Sequence, residues 1–213
     1  MHLQRDSAWD FFVHYLTPFL TRGNHDLDIY LRDRNRDKIR QRKRWGTTLW
    51  WAVAIGLAFV NWQATLMVFV ATLLITRDAM MSGNWAQHAF VDASDPGNCY
   101  VNSLTCINSV YNKRCFNDGY HISHHWKPTR HWTEHPDELN ENLEAYAQND
   151  AIVFEKLDFF LVWLNLMFKR YDTLAEHYVP LDDRERSKEE IIALLKERTK
   201  RIPEPGELAG AAA

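Results

Sequence analysis

Three of the six histidines between His88 and His135 form the run His121-Ile122-Ser123-His124-His125. In a helix, positions i, i+3 and i+4 share one face, so these three imidazoles converge on a single site. Neutral imidazole nitrogens are good transition-metal ligands, and the triplet points to metal binding. Without a metal, three neighbouring rings need other hydrogen-bond partners, and protonating all of them crowds like charge on one face. Asn84 and His88 add a second group at i, i+4 on one helix face. His131 and His135 share that spacing and read either as extra ligands or as groups that orient the ligands. Glu134 precedes His135 rather than following His131, so the segment is not the His-Glu-x-x-His of a metallopeptidase. Asp118 either accepts a hydrogen bond from a ligand imidazole, fixing its tautomer, or opens the turn before His121. Tyr120 and Trp126 read as walls of the site, and the isolated His177 as a surface histidine.

These side chains need a scaffold, and its most distinctive part is Trp45 to Thr76, which holds no formally charged residue over 32 positions. One membrane span takes about 20 apolar residues, so this stretch is long for one crossing and short for two with a full loop. Asn61-Trp62-Gln63 interrupts it at the middle, where a tight helical hairpin would turn. Arg36, Lys38, Arg40, Arg42, Lys43 and Arg44 precede it and Arg77 follows it, so both ends fall on the positive, cytoplasmic side. A single long tilted helix is the competing reading, against which stands the mismatch it would have to absorb. The aromatic segment Trp9 to Leu20, closed by Arg22-Gly23-Asn24, is too short to span and reads as an interfacial helix. A second one is expected over about 150–170, where Glu155, Lys156 and Asp158 interrupt an apolar run. From Ser187, an N-cap followed by acids, a soluble helix is expected, leading through Pro203 to a disordered end at Leu208–Ala213. The expected fold is therefore all-α, a single domain of about one core: a membrane hairpin at about 45–80, a cytoplasmic helical cap with the metal-site region at 84–135, and interfacial helices.

Composition sets limits on partners. A net charge of -3 argues against nucleic acid, while nine Trp, eleven Phe and eight Tyr suit a chain that meets a membrane over part of its length. Cys99, Cys106 and Cys115 lack C-x-x-C spacing and read as free thiols in a reducing compartment. No cleavable signal peptide is visible, because the first apolar stretch carries His14 and Pro18.

The order of these features resembles the membrane fatty acid desaturases, whose later half has a helical hairpin, an Asn-x-x-x-His box and a Gly-aromatic-His-x-x-His-His box. Here Asn84–His88 and Gly119–His125 follow the charge-free stretch in that order, and the resemblance covers roughly Arg36 to His125. It implies a non-haem di-iron site on the cytoplasmic face, with His88, His121, His124 and His125 as ligands and Asn84 as a weak or water-mediated one. It also implies oxidative lipid metabolism: iron and dioxygen removing hydrogen from an acyl chain to introduce a double bond. Electrons would come from a haem carrier or a ferredoxin, since no haem or cluster motif occurs in the chain. The endoplasmic reticulum is the implied compartment if the source is eukaryotic. The family's two earlier histidine boxes have no counterpart, because only His2, His14 and His25 precede the hairpin. The chain is thus expected to be N-terminally truncated with an incomplete di-iron ligand set. Acyl-chain or carotenoid hydroxylation is the alternative within the same chemistry, and a non-catalytic membrane remnant the alternative outside it.

Overall fold

The computed structural model describes residues 2–203. The expected disordered end at Leu208–Ala213 lies outside them. The chain is mostly helical and divides into two compact units: Phe12–Met81, and the residues up to Phe11 together with those from Ser82 onward.

In the first unit a π-helical turn, Asp10–Leu16, runs into α1 (Thr17–Asp33). The expected stop at Arg22-Gly23-Asn24 does not occur. One glycine inside a helix costs only about 1 kcal/mol, and the residues beyond it have partners that repay this. Leu31 is buried, and Asp28 meets Arg40, Lys43 and Arg44 at 3.1, 3.6 and 3.0 Å. Those cations belong to the start of α2 (Asp37–Thr65), which continues through a π-helical stretch, Leu66–Ala71, into α3 (Thr72–Gln87). Asn61 breaks this run with φ -154 and ψ 95, and its side chain accepts from Ala64 N at 3.0 Å, capping the helix that restarts. The rings of Trp50 and Phe69 lie 4.9 Å apart. Nineteen residues of straight helix would separate them by about 28 Å, so the run is not one straight helix. The run Asp37–Gln87 is the one helical stretch among the described residues long and apolar enough to cross a membrane. Over Trp45–Thr76 most of its side chains face outward, Phe59 at 89% and Val60 at 82% exposure, which is the inverse of a soluble core helix.

The second unit is built around a pair of parallel strands, β1 (Leu104–Ile107) and β2 (Ile152–Glu155), in register Leu104↔Ile152 through Ile107↔Glu155. The chain remains mostly helical, consistent with the all-α expectation, with this one short pair of strands among its helices; the helix expected over 150–170 gives way at its start to β2. Ile152-Val153-Phe154 is β-branched and aromatic, flanked by Asp150 and Lys156 at positive φ, and buried on both faces. A strand needs a partner, and its partner lies 48 residues away, outside any local pattern. What remains of the expected helix is the segment Phe159–Met167, largely buried.

Short helices surround the strands: α4 (Cys99–Asn102), α5 (Val110–Arg114), α6 (His121–Trp126), α7 (His135–Glu141), α8 (Leu143–Gln148), α9 (Phe159–Met167), α10 (Tyr171–Glu176) and α11 (Lys188–Arg198). Ser187 and Glu190 form a reciprocal cap on α11. Trp85 is fully buried, with Phe11 edge-on to it at 5.5 Å and to Trp163 at 5.1 Å.

Candidate metal centre

Two short pieces of chain carry the histidines, and each is held by buried polar groups. At the end of α3, Trp85 Nε1 donates to the Arg5 carbonyl at 2.9 Å and Arg5 Nε donates to the Ala89 carbonyl at 2.7 Å. His88 lies between these two anchors. The second piece enters at Gly119, whose N–H donates to Asn112 Oδ1 at 2.9 Å and whose carbonyl accepts from Cys106 N at 2.7 Å. Asn112 Nδ2 donates in turn to the Cys106 carbonyl at 2.8 Å, so the turn before His121 is bonded directly to β1. The approach is too close for a side chain: a Cβ on residue 119 would sit 2.5 Å from the Cys106 oxygen. Glycine is required here by packing.

The result is a cluster of His88, His121 and His125, whose available ligand atoms all lie within 4.8 Å of one another. His121 Nε2 is 3.4 Å from His88 Nε2 and 3.1 Å from His125 Nε2. Adjacent nitrogens about 2.1 Å from one metal ion stand roughly 3.0–3.4 Å apart, so these separations fit one shared ion. His88 Nδ1 is 2.7 Å from the Asn102 carbonyl. A carbonyl can only accept, so Nδ1 carries the proton and the lone pair of Nε2 faces the cluster. His121 is buried, and its Nδ1 has no hydrogen-bond partner among the described residues. Burial, reinforced by His88, His125 and His124, pushes its pKa down to about 2. Burial, followed by its histidine neighbours, also lowers His125, and burial lowers His88 against the opposing hydrogen bond to Asn102. All three therefore present neutral nitrogens at physiological pH, the form a metal requires.

The other anticipated residues take different places. His124 is exposed, its ring stacked on His121 at 5.7 Å and facing an open cavity of about 700 Å³. Asn84 lies one turn before His88 on α3 and is exposed. Asp118 accepts from the Tyr111 hydroxyl at 2.8 Å and from Gln87 at 3.5 Å, not from an imidazole. His131 pairs with Thr133 Oγ1 at 2.7 Å and lines the cavity. His135 is buried with its Nδ1 2.8 Å from Ser123 Oγ, and burial followed by Arg130 lowers its pKa. His177 is not a plain surface residue; its Nδ1 meets the Glu155 carbonyl at the end of β2, 2.9 Å away.

The family model for fatty acid desaturase matches residues 3–156. The chain belongs to the fatty acid desaturase family. It matches no curated protein and no solved structure. The match contains the outward-facing apolar helices and all three clustered histidines, and the desaturase family is membrane-associated, typically using iron.

Several residues of this desaturase-family site carry no motif. Asn102 supplies a backbone oxygen, which any residue type could offer, so only the folded chain reveals it. Asn112 acts through a side chain that bridges β1 and Gly119. Arg130, Glu138 and Tyr146 form a buried polar group behind α6. Arg130 and Glu138 stand eight residues apart, a spacing that marks no helical charge pair, so only their burial together in the folded chain sets them apart.

Proposed function

We propose that this protein is a membrane-bound, iron-dependent oxidoreductase of the desaturase type that introduces a double bond into an acyl chain, with His88, His121 and His125 holding one iron. The observation that carries this reading is the convergence of three neutral imidazoles within 4.8 Å, one of them buried with an unpartnered nitrogen. The donor set suits iron, since imidazole is a good ligand for it and three ligands leave open positions. When bound, iron supplies the activation of dioxygen needed to remove hydrogen from an unactivated methylene, which no side chain does alone. The protein's own part is orientation. Asn102 fixes the tautomer of His88, Gly119 and Asn112 fix the start of α6, and burial keeps His121 unprotonated. His124 is the further histidine in ring contact with the cluster; the three-histidine cluster itself accounts for one ion rather than the family's two.

The exposed apolar run from Trp45 to Thr76 supports insertion in a bilayer as a re-entrant helical pair turning at Asn61. The basic residues before α2 and Arg77 after the run support a cytoplasmic placement of both ends. Electrons would come from a separate carrier on that side. The test is expression of the full chain in a host without endogenous desaturase, followed by mass-spectrometric profiling of its acyl chains. A new unsaturated species in the wild type that is absent from His121→Ala is expected. An unchanged acyl profile with a full complement of bound iron and a supplied electron donor would overturn the desaturase reading.

A further inference from the structure

Helix α6 has six residues, too few to hold its shape alone, so its orientation must be imposed by its neighbours. Ser123 lies midway between His121 and His125. At about 100° per residue it projects from the side opposite both. There its hydroxyl, wholly buried, accepts from Arg130 Nη1 at 2.7 Å and lies 2.8 Å from His135 Nδ1. Arg130 cannot accept, which leaves the Ser123 hydroxyl proton free for His135. The same Arg130 nitrogen is 3.2 Å from Glu138 Oε2, with side-chain exposures of 9% and 4%. Glu138 Oε2 also accepts from the Tyr146 hydroxyl at 3.0 Å, whose proton is kept in place by burial and by Glu138 itself.

A buried ion pair is a poor stabilising device, because desolvation offsets most of its attraction; its best-supported use is to fix geometry. We infer that the Arg130–Glu138 pair, acting through the Ser123 hydroxyl, holds α6 in the rotation that brings His121 and His125 to His88. These are positioning residues. The inference rests on the metal reading above for its purpose, though not for its geometry. A rotation of about 10° moves a group at the edge of a helix, roughly 5–6 Å from its axis, by about 1 Å. That is enough to spoil a shared ligand sphere, where tolerances are about 0.5 Å.

The test compares Ser123→Ala, Glu138→Gln and the double variant in the full detergent-solubilised chain. Cobalt(II) binding is followed through its visible spectrum, and amide hydrogen exchange is followed in the metal-free protein. Each single variant is expected to weaken cobalt by about tenfold or more, the range for groups that orient ligands. The double variant is expected to be no weaker than the more affected single one, with faster exchange confined to peptides covering residues 119–127. Additive losses in affinity, or unchanged affinity with faster exchange spread through α7–α9, would overturn the inference. If the wild type takes up no cobalt, the metal reading fails, and exchange decides the positioning role: confined acceleration supports it, and unchanged or general acceleration overturns it.

Discussion

Gly119→Ala strikes the point where the second histidine segment is bonded to the sheet. The new Cβ would lie 2.5 Å from the Cys106 carbonyl oxygen and nearer still to Asn112 Oδ1, while real Cβ contacts stay above 3.0 Å. Neither neighbour is free to yield, because Asn112 Nδ2 donates to that Cys106 oxygen at 2.8 Å and Asn112 Oδ1 accepts from Gly119 N at 2.9 Å. Overpacking a tight site costs about 1–3 kcal/mol, and a buried polar group left without its partner about 1–3 more, so a loss of about 2–6 kcal/mol is expected. At about 2–4 °C per kcal/mol for a chain of this size, thermal unfolding followed by tryptophan fluorescence should shift down by roughly 5–20 °C. Gly83→Ala is the control, since nothing lies within 4 Å of its Cβ position on α3. It should be neutral or stabilising by up to about 1 kcal/mol. A Gly119→Ala protein within about 0.5 kcal/mol of wild type would refute the claim that close packing fixes this turn.

Other outcomes follow from the same geometry. His121 is held near pKa about 2 against an ordinary 6.5, so between those values the unfolded chain binds more protons than the folded one. Stability of the metal-free protein should therefore be fullest above about pH 6.5 and fall progressively with acid, with His135 contributing in the same direction. A His121→Ala variant whose pH dependence below neutrality matches the wild type's would contradict this. The cysteines are free, Cys106 buried with burial raising its thiol far up, and Cys99 and Cys115 half-buried. Thiol titration without reductant should find all three in the unfolded chain, with Cys106 silent in the folded one; a disulfide-linked peptide would count against it. Phe69→Ala should loosen the contact with Trp50, raising hydrogen exchange in Leu66–Ala71, whereas equal exchange would show that contact to be dispensable.

The parts of this chain legible from sequence are those whose signal is local. His121, His124 and His125 announce themselves by spacing, and Trp45–Thr76 by the absence of charge. Asn61 shows as a polar residue at the centre of that run, although its role as an N-cap appears only in its contact with Ala64. What stayed hidden depends on residues distant in sequence. Ile152–Glu155 looks like the start of an amphipathic helix until Leu104–Ile107 is placed beside it. The helical triplet pattern makes His121, His124 and His125 equivalent, yet the tight cluster takes His121 and His125 with His88 and leaves His124 at the cavity. Spacing determines which side chains share a face, while the direction from which His88 approaches determines which of them meet it. The sequence leaves Asp118 open between pairing with an imidazole and opening the turn before His121; its bond from the Tyr111 hydroxyl depends on where α5 packs.

The central claim, that His88, His121 and His125 form one metal site, is tested most directly by iron content. The full chain, purified from iron-replete membranes, should carry about one iron per protein by elemental analysis. His121→Ala should lose it, and His25→Ala, at an exposed position in the other unit, should keep it. Two irons per chain, none at all, or equal loading of wild type and His121→Ala would contradict the account.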